Sequence, residues 1–197
     1  FPNTYFANLA GLGTMPNMEA VTKEVQLMMD PTADPYAAPP ADAPAPETFG
    51  VKDVTDLSWK QILEAYSCTE CGRCTSECPA NQTGKLLSPR KVMMDVRDRA
   101  EELAGIKQKE GAEGDGGTPL IARITEEEIW ACTSCQACIE ACPILISPMG
   151  ILLDMRRNLI MEESKSPESL TAMFNNVENN GAPWAFPAAD RANWITE

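Results

Sequence analysis

The sequence predicts a mainly α fold built from two copies of one helical unit, and three observations predict it. A cysteine pattern occurs twice, at 68–79 and 132–143, and uses all eight cysteines of the 197-residue chain. A Ser-Pro dipeptide followed by helically spaced apolar residues stands after each copy, at 88–97 and 147–156. No stretch alternates apolar and polar residues with the period of two that a half-buried strand requires. Counterparts lie 64 positions apart up to the prolines, Tyr66 with Trp130 and Cys68 with Cys132. SPRKVMMDVR then matches SPMGILLDMR.

Residues 1–56 read as an extended arm. Glu19–Met29 has the spacing of a short helix, with Val21, Val25 and Met28 on one side. Pro31–Glu47 (PTADPYAAPPADAPAPE) holds six prolines and reads as a semi-rigid polyproline-type linker. It lacks the basic anchors of a proline-recognition ligand.

A helical domain is expected over 57–181. Its first helix starts near Asp56 or Ser58 and runs through Trp59, Ile62, Leu63 and Tyr66 into the first cysteine run. A polar loop, Ala80–Leu87, follows. Ser88-Pro89 supplies an N-cap with proline at the first helical position. The helix it opens carries Val92, Met93, Val96 and Leu103 on an apolar stripe, sets Asp95, Arg97, Asp98, Arg99 and Glu101 outward, and ends near Gly105. Residues 105–118, with GAEGDGG, read as a flexible insertion. Thr125 and Glu128 make a capping box that opens a short helix through Ile129 and Trp130 into the second cysteine run. Ser147-Pro148 and Ser166-Pro167 open two more helices, Met149 to about Glu163 and one carrying Leu170, Met173, Phe174 and Val177. Residues 182–197 are an irregular tail with Trp184, Phe186 and Trp194. The methionines sit mostly at helical spacing, as core residues do.

Each cysteine run is C-x2-C-x2-C-x3-C-P, the spacing that holds a pair of 4Fe–4S clusters. Three thiols at x2 spacing let one tight turn wrap three corners of a cubane. The x3 step starts a new element, and the proline keeps the backbone from folding back. In the cross-ligation usual for this doubled pattern, Cys68, Cys71, Cys74 and Cys142 hold one cluster, and Cys132, Cys135, Cys138 and Cys78 hold the other. Structural zinc would take two pairs and leave thiols of each run unused. A disulfide framework belongs to an exported chain with scattered cysteines. Cys78 and Cys132 are 54 positions apart with a helix between them, which argues for an all-helical ferredoxin type rather than the small strand-bearing one.

The net charge is −13, which repels nucleic acid and anionic lipid and suits a basic patch on a redox partner. There is no histidine, so haem His ligation, a Rieske centre and a His general base are excluded. No phosphate loop, dinucleotide fingerprint, nucleophile triad or substrate site is seen. No apolar run approaches the ~20 residues of a membrane span. Thiolate ligation points to a reducing compartment, the cytoplasm. The start at Phe1 suggests a segment of a longer chain.

The expected role is electron transfer: single electrons relayed within a larger oxidoreductase. A redox- or iron-sensing module using the same clusters is the alternative, and a self-contained enzyme would need an open iron or a flavin site. Tyr66, Trp130, Ile144, Leu145, Ile146, Pro79 and Pro143 are expected as apolar walls. Glu70, Glu77 and Glu140 should lower the potential and Arg73 raise it.

The paired motifs, their separation and the segment LSWKQILEAYSCTECGRCTSECPANQTGKLLSPRKVMMDVRDR resemble iron–sulfur subunits of the heterodisulfide reductase and anaerobic glycerol-3-phosphate dehydrogenase type. That segment looks especially like the membrane-anchored iron–sulfur oxidoreductases of that superfamily. The resemblance covers roughly 57–180. It implies a helical ferredoxin fold and a relay between a quinone-linked membrane part and a Cys-Cys-Gly-type or flavin catalytic part. It also implies a place at the cytoplasmic face of a membrane through a part or partner outside this chain. The 197 residues hold neither membrane helices nor a Cys-Cys pair.

Overall fold

A computed structural model of the chain describes residues 19–32, 48–111 and 116–195. Most of the expected arm and linker, and 112–115 of the expected insertion, lie outside the described residues. Among the described residues there is no strand. The helices are α1 (Glu19–Met29), α2 (Trp59–Ser67), α3 (Arg73–Ser76), α4 (Pro79–Gln82), α5 (Pro89–Glu110), α6 (Leu120–Arg123), α7 (Glu126–Ala131), α8 (Ala137–Glu140), α9 (Pro148–Arg157) and α10 (Glu168–Asn180). A short 3-10 turn covers Val54–Asp56. Contacts divide the chain into two units, one ending at Asn158 and one beginning at Leu159. The second contains α10, which Gly181 closes at φ +63°.

The doubled unit is visible in the helix caps of the first unit. Ser58 Oγ accepts from Gln61 N while Gln61 Oε1 accepts from Ser58 N, and Thr125 and Glu128 form the same kind of box one turn closer to the second cysteine run. Each box starts a helix that delivers the first cysteine of its run. Ser88 and Ser147 then cap α5 and α9, each with proline in the first turn. Val92, Met93 and Val96 of α5, Leu120, Ile124, Ile129, and Ile151, Leu152 and Met155 of α9 are buried and form the core.

Several expectations need correction. The loop expected over Ala80–Leu87 begins inside α4, and the tail expected to be irregular holds a 3-10 helix, Ala188–Ile195. α5 does not end near Gly105 but runs to Glu110, where Gly111 takes φ +92°. One interior glycine costs a helix only about 1 kcal/mol, and good helix formers flank it. Arg99 does not point outward: its side chain is 1% exposed. Its Nε and Nη2 donate to Asp53 at 2.6–3.1 Å, and its Nη1 donates to Glu102 at 3.1 Å and to the Gly116 carbonyl at 2.7 Å. Asp53 also accepts from Leu120 N at 3.1 Å, so one ion pair ties α5 to the segments on both sides of it.

The two buried carboxylates of the repeat, Glu64 and Glu128, occupy equivalent positions and each reaches into the other repeat. Glu128 meets Lys91 of α5 at 3.1 Å, and Glu64 accepts from Ser147 N at the start of α9 at 3.3 Å. Burial pushes the Glu128 carboxyl up, but the Thr125 N–H, the Lys91 ammonium and the Thr125 hydroxyl outweigh it and hold the group below 4.5. A carboxyl depressed on folding stabilises the native state above its unfolded pKa, and that contribution disappears as pH falls through the folded value. Glu128→Gln is therefore expected to lower the denaturant midpoint at pH 7. Its difference from wild type should shrink below about pH 4.

Gly50 has φ +78°, and a Cβ there would stand 2.2 Å from the Asp154 carbonyl oxygen and 2.5 Å from Asn158 N. The close approach lets Val51 N donate to the Asp154 carbonyl at 3.0 Å. Gly50→Ala forces both a left-handed alanine, costing about 1–2 kcal/mol, and a backbone displacement. A thermal scan should show a drop of several degrees or more.

Candidate metal centres

The two cysteine runs adopt the same backbone. Cys68 and Cys132 follow directly on α2 and α7 in extended conformation. Two positions later Glu70 and Ser134 take φ +58° and +56°, and two further on Gly72 and Gln136 take +81° and +64°. Left-handed backbone at Glu70, Ser134 and Gln136 costs about 1–2 kcal/mol each. The turn aims amide hydrogens at sulfur: Ser134 N lies 3.4 Å from Cys132 Sγ, and the Glu70 N–H does the same for Cys68. Short helices α3 and α8 carry Cys74 and Cys138. Cys78 caps α4 with Pro79 behind it, and Cys142 precedes Pro143.

The thiols ring two voids. The first, about 500 Å³ with its open mouth, is bordered by Cys68, Cys71, Cys74 and Cys142. The second, about 340 Å³, is bordered by Cys78, Cys132, Cys135 and Cys138. The last cysteine of each run thus stands with the first three of the other. Cys138 and Pro148 border both voids and form a shared wall. Among the described residues no three or more His, Cys, Asp or Glu side chains are arranged to hold a single metal ion. The sulfurs surround volumes rather than points.

Electrostatics match such a role. Burial pushes the Cys68 and Cys74 thiols up; the Glu70 N–H eases Cys68, the Thr75 hydroxyl eases Cys74, and Cys142 and Cys71 add repulsion at both. Cys138 is pushed up to about 12 by burial first and then by Cys132, Cys74, Cys135 and Cys78. Thiolates crowded this way need a cationic core among them. Metal loading accordingly releases protons. Four thiols and inward amide hydrogens around each void fit an iron–sulfur cube.

Of the expected walls, Pro143, Ile144 and Ile146 border the first void and Pro79 the second, whereas Tyr66, Trp130 and Leu145 border neither. Tyr66 is half exposed. Trp130 instead lies under Arg156, whose guanidinium is 5.1 Å from the ring centre and donates to the Ile129 and Cys132 carbonyls. Arg73 and Glu70 border the first void as well, but Glu77 and Glu140 border neither. Arg90, on the first turn of α5, also stands at the first void. Sequence reasoning missed it, although its place directly after Ser88-Pro89 puts it at the helix start that faces the cysteine run.

Residues 64–146 match the 4Fe-4S dicluster domain family. This part of the chain is a 4Fe-4S dicluster domain. The chain is 33% identical to the probable iron-sulfur-binding oxidoreductase FadF of Bacillus subtilis over 181 residues, 77% of this chain and 26% of that protein. It is 35% identical to the EtfAB:quinone oxidoreductase of Syntrophomonas wolfei over 171 residues, 77% of this chain and 24% of the other. It is 28% identical over 150 residues to one subunit of the dihydromethanophenazine:CoB–CoM heterodisulfide reductase of Methanosarcina mazei, covering 73% of this chain and 36% of that subunit. The chain therefore spans about a quarter to a third of the length of the relatives it matches. The dicluster domain gives it 4Fe–4S chemistry and an electron-transfer role. No helix among the described residues is long and apolar enough to cross a membrane.

Proposed function

We propose that the chain relays single electrons through two 4Fe–4S clusters inside a larger oxidoreductase. Cys68, Cys71, Cys74 and Cys142 would hold one cluster, and Cys78, Cys132, Cys135 and Cys138 the other. The exchange of Cys78 and Cys142 between the two voids carries this reading. A four-thiolate cube supplies one-electron chemistry when bound and leaves no iron open to a substrate. The residues around it do the rest. Glu70 and Ser134 direct N–H groups at sulfur, which favours the reduced state. Ile144 and Ile146 at the first void, and Leu87 and Leu152 at the second, keep water off the sulfurs. The shared wall at Cys138 keeps the two sites adjacent.

Relatives whose names join a quinone or a heterodisulfide to a reductase support a chain that hands electrons between subunits or domains. The proposed partners are a quinone-linked membrane part and a Cys-Cys-Gly-type or flavin catalytic part. The site of action is the cytoplasmic face of a membrane, reached through such a part. Residues 57–181 form the electron-transfer domain in this reading, with 1–56 an arm and 182–197 a tail. An anaerobic reductive titration followed by EPR tests it. Two one-electron steps per chain, with interacting reduced signals, are expected. A single step, or none, would contradict it.

A further inference from the structure

We infer that the mouth of the first void is where an acidic surface of a redox partner docks, held by Arg73 and Arg90. The inference rests on the two-cluster reading. Both arginines border that void and both are exposed. Neither guanidinium makes an ion pair or hydrogen bond among the described residues, in a chain of net charge −13. Other cations unpaired among the described residues, Lys85, Lys107 and Lys109, border neither void, whereas these two stand together at a cofactor site. The Arg90 side chain reaches over the first cysteine loop, its Nη1 4.0 Å from where a Cβ on Gly72 would lie.

The second repeat is an internal control. Ala137 stands where Arg73 does, and Met149, which is 1% exposed, where Arg90 does. No charged residue borders the second void. The cation nearest the second run, Arg156, is turned inward onto the Ile129 and Cys132 carbonyls and the Trp130 ring. Glu70, the one acid at the first void, is engaged by Arg97 at 2.7 Å, so it leaves the arginine pair's field largely intact. The left-handed turns and the Ser-Pro helix starts are the same in both repeats. The free cations at the voids are not, and they border the first alone.

An acidic chain with a positive spot at one of its two cluster sites favours one orientation toward an acidic partner. The rest of its surface repels and the spot attracts, so the first site is presented for electron exchange. The transfer is a bare electron: one cluster goes from its reduced to its oxidised state, and the acceptor gains one electron. No proton or bond changes hands.

The test uses the reduced, cluster-loaded full chain with succinylated cytochrome c as an acidic protein acceptor and ferricyanide as a small anionic one. Salt is varied from about 0.01 to about 1 M, where the Debye length falls from about 30 to about 3 Å. The inference predicts that oxidation by the acidic protein slows as salt rises, despite like net charges. In the double variant Arg73→Ala with Arg90→Met it should be about tenfold slower at low salt and speed up as salt rises. The variant should also lower the midpoint potential of the first cluster in an EPR-monitored titration and leave the second unchanged. Arg73→Lys with Arg90→Lys should keep the wild-type sign of the salt effect. A wild-type rate that rises with salt overturns the inference. So does a variant effect confined to ferricyanide, which would make the mouth an entry for small anions. Iron and sulfide are assayed first in every variant: absent clusters count against the relay itself, present clusters with no change in salt response against the docking site alone.

Discussion

Replacing Cys78 by serine is expected to remove the cluster bound at Cys132, Cys135 and Cys138 and to leave the one at Cys68, Cys71 and Cys74 in place. The effect crosses the chain because Cys78 borders the second void although it belongs to the first run. Serine keeps the shape but offers a hydroxyl, which stays protonated at neutral pH and is a poor donor to iron beside three thiolates. Cys78 is buried, so no solvent ligand has easy access to the vacated corner. Iron should fall by about half, from about eight to about four per chain, with loss of the spin interaction between reduced signals. Cys142→Ser should do the converse. Loss of only the cluster at Cys68, Cys71 and Cys74 in the Cys78 variant would reverse the ligand assignment.

Arg99→Ala is expected to be the most damaging substitution away from the cysteines. The guanidinium is 1% exposed and engages Asp53 through two nitrogens, with Asp53 itself mostly buried. Desolvation pushes the Asp53 carboxyl up, but Arg99 and the N–H groups of Val54 and Leu120 overcome it and hold it below 3.8. Without Arg99 that carboxylate is left among the Val54, Leu120 and α5 packing with no cation. Removing one partner of a buried pair costs about 3–5 kcal/mol. For a chain of this size the melting temperature should drop by on the order of 10 °C, read by far-ultraviolet circular dichroism on anaerobic protein. Replacing both partners by apolar residues, Arg99→Met with Asp53→Leu, should recover much of the loss, because it removes the orphaned charge. A single variant as stable as wild type would show that the pair holds nothing together.

The helical unit and its repetition are legible in the sequence because they are written locally. Cap boxes, Ser-Pro starts and cysteine spacing each act within a turn or two, and the structure forms helices where they predict them. What escapes is long-range. The charge of Arg99 predicts an outward place, yet it lies at helical spacing from Val92, Val96 and Leu103, on the very stripe that is buried. Its partner Asp53 is 46 positions away, and nothing near Arg99 announces it. Arg90 likewise reads as a surface charge in the sequence and becomes a feature of the first site only once α5 is folded beside the cysteine loop. Tyr66 and Trp130 illustrate the opposite error. Adjacency to a cysteine in sequence suggests a wall, but a helix turns neighbouring side chains by about 100° and sends both elsewhere.

The relay stands or falls on the number and kind of cofactors. Iron and acid-labile sulfide on anaerobically prepared protein, with EPR after dithionite reduction, measure that directly. About eight iron and eight sulfide per chain with interacting reduced signals are predicted. Stoichiometric zinc without sulfide, or about four iron with four of the eight cysteines freely alkylated, would contradict the two-cluster relay.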